Sequence, residues 1–361
     1  MTNLRLTGPT PLPPEVRDAL GLPMVSHRSD GFRACLRDVQ HGLQQVLATR
    51  EVPIVLSGSG TTALELAVAN AVEPGTRVLA LSIGHFGERF AELARRYGGE
   101  VELVRAPAGQ AIDPQAVREA LRRARFDVAL VTHVETSTGA INDLAALVRE
   151  LRAGSDALVL VDAVSSLGGT PCAMAALELD VVASASQKAL MAPPGLAIAA
   201  ASPRALARAR RIASPRGSLD LVRLHAAAAE HTTLFTPAIP IVRALQAALR
   251  LLLDAGLDAV YARTRDAAAG VPGRARRRRA GGARGAGLRL ADGDRRDDAG
   301  RGPRDRRPPR ARAARHLRRP GARRAQGRAD PHRPHGPLHP GRGRRVRARR
   351  RPGRARGLRC S

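Results

Sequence analysis

Lysine is almost missing from this chain: Lys188 is the only one in 361 residues, although lysine and arginine together number 60. Arginine stays protonated and cannot form an imine, whereas a lysine with a lowered pKa can. The one position that keeps a primary side-chain amine is therefore the first candidate for covalent chemistry. Cysteine is scarce too. Cys35, Cys172 and Cys360 have no paired spacing and form no metal-ligand cluster, so neither a disulfide framework nor a metal site is expected, and a reducing cytoplasm suits them. No apolar run reaches membrane-spanning length, so no membrane partner is expected. The N-terminus lacks a basic start followed by an apolar core, so no signal peptide is expected.

Charge of one sign is also missing, but only locally. The net charge of +28 would suit a nucleic-acid binder, yet residues 271–361 hold 32 arginines against 6 aspartates and account for +26 of it. Residues 1–270 keep the ordinary balance of a soluble enzyme. The same tail has no Phe, Tyr, Trp, Ile, Glu or Lys, and so lacks the material for a packed core. Two kinds of sequence meet near Gly270.

The first part reads as alternating elements. The opening Leu6-Thr7-Gly8-Pro9-Thr10-Pro11-Leu12-Pro13-Pro14 is an extended arm stiffened by proline. Apolar runs at 53–56, 77–81, 101–104, 127–132, 157–161, 181–183 and 196–200 predict strands. Helical patterns fall at 32–48, 62–71, 88–97, 114–123, 144–152 and 203–211. Continuous Val/Leu/Ala strands between helices indicate an α/β domain with a mostly parallel sheet covered on both faces. Ligands in such sheets bind beyond the strand C-termini.

Polar clusters sit at those ends. Ser57-Gly58-Ser59-Gly60-Thr61 joins a strand to a helix, where free backbone N–H groups favour an anion. It matches neither the Walker A spacing nor the dinucleotide fingerprint; a tight turn with a serine cap is the plainer reading. Asp162 ends the 157–161 strand, where a carboxylate needs a cation or donors. It reads as a helix cap or as the partner of a pyridinium nitrogen, which such a carboxylate keeps protonated. Lys188 follows one strand later, close enough to share a cleft. Thr132-His133-Val134-Glu135-Thr136-Ser137-Thr138-Gly139 closes another strand with hydroxyls. His133 and Glu135 lack a third ligand, so they read as loop-stabilising rather than metal-binding. Phe86 is either a core residue or a ring that stacks on a flat ligand.

Jointly these residues resemble the class V aminotransferases of pyridoxal-phosphate fold type I, nearest to the alanine–glyoxylate and serine–pyruvate aminotransferases. The resemblance runs over residues 4–268. It is carried by Gly8-Pro9-Thr10-Pro11, Ser57-Gly58-Ser59-Gly60, Glu135-Thr136-Ser137-Thr138-Gly139, Val161-Asp162, Leu167-Gly168-Gly169-Thr170-Pro171 and Ser186-Gln187-Lys188-Ala189-Leu190 with Pro193-Pro194-Gly195. It implies that Lys188 holds pyridoxal 5'-phosphate as an imine and moves the substrate proton. Asp162 would then pair with the ring nitrogen and Phe86 would stack on the ring. Ser59, Gly60, Thr61 and Gln187 would hold the phosphate, with Thr136 beside the ring oxygen. Thr236 would reach the phosphate of a neighbouring subunit, which implies a homodimer; relatives often have tyrosine where this chain has Thr233. Gln187 favours the aminotransferase branch over the desulfurases, which usually place histidine before the lysine. Cys360 shows no desulfurase loop around it.

The implied layout is an arm over 1–16, a cofactor-binding large domain over 17–240, and the helical start of a small domain over 241–269. Over 270–361 that small domain is expected to be disrupted or disordered. The family's small domain carries an arginine for the substrate carboxylate, and this chain does not visibly continue into it. A nucleic-acid-binding extension is one reading of the arginines. An Arg/Ala/Gly/Pro tail is also what a GC-rich gene yields out of frame. Back-translating 326–340 one register over permits a string like the family's segment around that arginine, its codon straddling Pro331 and His332. The expected function is transfer of an amino group from alanine or serine to glyoxylate or pyruvate, impaired by a frame break near 268–274. Alternatives are a 2-aminoethylphosphonate transaminase, another fold-type I enzyme such as a lyase, or an inactive remnant with a basic tail.

Overall fold

A computed structural model describes residues 6–213 and 216–271. The arginine-rich tail beyond Val271, with Cys360 and positions 272–274 of the expected frame break, lies outside the described residues. Seven strands form one sheet among the described residues: β1 (Ile54–Ser57), β2 (Arg77–Ser82), β3 (Glu100–Arg105), β4 (Val128–Thr132), β5 (Leu158–Asp162), β6 (Val181–Ala185) and β7 (Leu196–Ala201). Their spatial order is β1-β7-β6-β5-β4-β2-β3. Only β7 runs antiparallel to its neighbours; the other pairs are parallel.

The covering helices are α1 (Pro14–Leu20), α2 (Asp30–Leu47), α3 (Gly60–Ala69), α4 (His85–Arg96), α5 (Pro114–Arg123), α6 (Leu144–Gly154), α7 (Pro203–Arg211), α8 (Leu221–Ala229), α9 (Ile239–Asp254) and α10 (Leu257–Ala269). The two-residue period of a strand explains the layering. Leu79 and Leu81 of β2 face a core shared with α2, α5, α6 and α9. Val78 and Ala80 face the opposite core, with α3, α4, α7 and α8. Strands β4 to β7 are buried along their whole length, which is why they read as unbroken apolar runs.

Side-chain caps set several helix starts. Ser29, Asp113, Asp143 and Ser202 each accept a backbone N–H from the first turn of the helix they precede. The seven strands lie where the apolar runs predict them, within two residues at each end. Two helices differ from the expectation. The arm turns helical at Pro14, since proline suits a first helical position. The alanine-rich α8 lacked a clear apolar stripe in sequence. Helix α9, expected to open a second domain, buries Leu245, Ala248 and Leu249 in the same core as α2. No helix among the described residues is long and apolar enough to cross a membrane.

Candidate active site

At the C-terminal ends of the parallel strands lies a cavity of about 350 Å³. Ser59, Gly60, Thr61, Phe86, Thr136, Asp162, Gln187 and Lys188 all line it. A larger cavity of about 1190 Å³ opens by Asp180 and Ser202, at the opposite ends of β6 and β7, and holds none of these residues. The smaller one gathers the chemistry.

Asp162 is the last residue of β5, flanked by Thr132 of β4 and Ala183 of β6. It is 4% exposed, and its Oδ1 accepts the Val164 N–H at 3.0 Å. Burial pushes its carboxyl up to about 7; the Val164 bond pulls it back, Glu135 raises it further and Lys188 lowers it. No cation among the described residues forms an ion pair with it. A carboxyl buried in this way is ionised more readily when a cation stands beside it.

Lys188 follows β6 on the turn before β7. Burial lowers its pKa and Asp162 raises it, so the two side chains feel each other across the cavity. Its Nζ donates to the Thr7 carbonyl at 2.6 Å. The arm is strapped to the same turn: Thr10 donates its N–H to the Gln187 carbonyl at 3.1 Å and its hydroxyl to the Lys188 carbonyl at 3.0 Å. Gln187 has its buried Oε1 without a partner.

Helix α3 points its N-terminus into the cavity. Ser59 caps it in a reciprocal box with Thr62, leaving the amides at its start at the cavity wall. A Cβ on Gly60 would stand 2.8 Å from a Val164 methyl, so this position admits only glycine at such close packing. Thr136 shares a hydroxyl–hydroxyl hydrogen bond of 2.6 Å with Ser165, which also lines the cavity.

Phe86 reaches the cavity from the first turn of α4. That turn is held from outside: Glu135 Oε2 accepts the N–H groups of Phe86 at 3.0 Å and Gly87 at 3.2 Å. His133 is buried and its pKa falls to about 4, so it stays neutral. Thr236 is not brought to this cavity; it lines another, with Ser57 and Thr233, on an exposed stretch before α9. Sequence reasoning missed Val164, Ser165, Arg89 and the arm carbonyl of Thr7. Val164 and Ser165 follow Asp162 directly, and Arg89 stands three residues after Phe86 on one helix face, so proximity to the motifs was the available signal.

The sequence profile described as Aminotransferase class-V matches residues 8–274. The small subunit of the soluble hydrogenase of Synechococcus sp. (strain PCC 6716) is 39% identical over 263 residues, covering 72% of this chain and 68% of that protein. The L-aspartate–glyoxylate aminotransferase of Paracoccus denitrificans (strain Pd 1222) is 35% identical over 271 residues, covering 74% and 68%. The crystal structure of alanine–glyoxylate aminotransferase from Nostoc sp. superposes with a TM-score of 0.68 at 35% identity, covering 71% of this chain and 69% of that one.

Proposed function

This chain belongs to the class V aminotransferases, and from that premise we propose that it transfers the amino group of a small amino acid, alanine or serine, to glyoxylate or pyruvate. The family's cofactor is pyridoxal 5'-phosphate, which supplies an aldehyde for amino-group exchange and a ring that withdraws electrons. The cavity residues fit it. Asp162, buried and without an ion pair among the described residues, suits a protonated ring nitrogen. The N-terminus of α3 suits a phosphate.

Each role then follows from chemistry. Lys188, its pKa lowered by burial, offers a larger free-base fraction as nucleophile. The same amine would take the proton from the substrate carbon and return it. With the cofactor bound, Asp162 would keep its ring nitrogen protonated, and Phe86 would stack on the ring and exclude water. Ser59, Gly60, Thr61 and Gln187 would hold the phosphate, with Thr136 near the ring oxygen. Thr236, exposed and outside the cavity of Lys188, would serve the phosphate of a second copy in a cytoplasmic homodimer.

One observation carries the reading: the chain's sole lysine and a buried aspartate with no ion pair among the described residues open on one cavity at a helix N-terminus. Hydride trapping of the cofactor-treated protein, with peptide mapping, should put the label on Lys188; a label on the N-terminus alone would refute the reading.

The names of relatives, alanine–glyoxylate and aspartate–glyoxylate aminotransferases, support glyoxylate as acceptor. The arginine expected to clamp the substrate carboxylate would fall within 270–361, the stretch proposed to be read out of frame. The chain as written is therefore proposed to have little or no turnover, since orientation by binding energy is lost. Robust alanine–glyoxylate turnover by the purified chain would overturn this. So would a confirmed gene frame unable to encode the shifted string.

A further inference from the structure

We propose that Glu135 and Ser137 are positioning residues for Phe86: from the loop after β4 they cap the helix that carries the stacking ring, and so fix that ring over the cofactor. The proposal rests on the stacking role assigned to Phe86 above.

A helix begins with backbone N–H groups that have no partner inside it. In α4 the residue before the first turn is Gly84, which has no side chain to offer. The cap is supplied instead from about fifty residues away in sequence. Ser137 Oγ accepts the His85 N–H at 3.1 Å, while Glu135 Oε2 accepts those of Phe86 at 3.0 Å and Gly87 at 3.2 Å. Three successive unpaired donors are satisfied by two side chains of one loop.

The two caps also lock each other. Ser137 donates its hydroxyl at 2.7 Å and its N–H at 3.0 Å to Glu135 Oε1. Glu135 is 0% exposed, so water has no access to replace it. A carboxyl group at a helix N-terminus is favoured by the dipole, and its bonds are the stronger kind when charged. Glycine at position 84 is what lets the loop approach: a Cβ there would stand 2.6 Å from Glu135 Cγ and 2.7 Å from Ser137 Oγ. Thr136, between the caps, turns its hydroxyl to Ser165 at the cavity. One three-residue segment thus forms one wall and sets the placement of another.

The chain contains no tryptophan, so Phe86→Trp in the full-length protein gives a single-site fluorescent reporter. Without cofactor, adding Glu135→Gln or Ser137→Ala should lower its anisotropy and raise its quenching by acrylamide. A control reporter at Phe126→Trp should not respond to Glu135→Gln. Amide exchange of His85, Phe86 and Gly87 in otherwise unaltered protein should speed up with either substitution. In the parent background, Glu135→Gln should weaken pyridoxal-phosphate binding by about tenfold, and in a Phe86→Ala background by less than about twofold. Equal losses in both backgrounds, an equal response at position 126, or no response at position 86 would overturn the proposal. If Glu135→Gln fails to fold, Ser137→Ala carries the same comparison. Should the parent bind no cofactor while position 86 still loosens, the functional reading fails and the cap survives.

Discussion

Gly8 lies against Lys188 so closely that a Cβ on it would stand 2.8 Å from the lysine Cδ and 2.9 Å from Nζ. Its φ of +119° is itself a conformation that glycine adopts far more readily than other residues. The arm and the amine are therefore fitted to one another, and Gly8→Ala should disturb both. Glycine-only backbone typically costs other residues about 1–3 kcal/mol. Hydride-trapped label on Lys188 should fall in this variant, as read by peptide mass. Full labelling would mean that the arm is free to retreat.

Lys188→Arg separates charge from chemistry. The variant keeps a cation facing Asp162, yet arginine offers no amine for an imine. Covalent label should vanish. The melting temperature should change little, because Lys188 donates only to a surface carbonyl among the described residues.

The stability of the cofactor-free protein should depend on Asp162 in a definite sense. Burial raises its pKa from 3.8 to about 7 in the fold. The folded state then binds this proton more tightly than the open chain does, so the group favours folding at low pH. That advantage is lost as pH rises from 3.8 towards 7. Asp162→Asn should therefore match the parent in acid and melt higher above about pH 7. His133, held neutral with a pKa near 4, gives an opposite slope below its ordinary 6.5, but it does so in both proteins and cancels. With cofactor bound the ranking should reverse, because the parent's carboxylate gains a cation and the variant's amide does not. Melting curves across pH, with and without pyridoxal phosphate, check both halves.

Leu245→Ala tests the place of α9. Leu245 is fully buried, in the core that α9 shares with α2. Truncation should destabilise the fold by about 2–5 kcal/mol, visible in chemical denaturation. A loss well below that range would mean that α9 is not integral to this core.

The centre of the sheet was legible because β4 to β7 are buried on both faces. Val159, Leu160 and Val161 could not be written in any but apolar residues, and the same holds for Val128 to Val131. The cavity was legible where chemistry restricts residue type, as at Lys188 and Asp162. It was opaque where backbone atoms or distant partners do the work. Nothing in Thr7 announces that its carbonyl receives the lysine, since every residue has one. Glu135 looked like an ordinary loop acid, because its partners are amide groups on a helix forty-nine residues earlier. Helix α8 escaped detection because alanine is compatible with burial and exposure alike. Thr236 shows the converse: the resemblance singled it out, yet it lines a different cavity from the one that holds Lys188.

The hydrogen bond from Thr10 to the Lys188 carbonyl joins positions 178 apart in sequence. As the chain emerges from a ribosome, the arm is made first and must wait, undocked, until the turn after β6 has been synthesised and folded. Closing so long a loop for so few bonds is an entropic burden that only a preformed scaffold can offset. The strap is therefore expected among the last parts to settle, and Lys188 becomes fully oriented only when the rest of the sheet is complete.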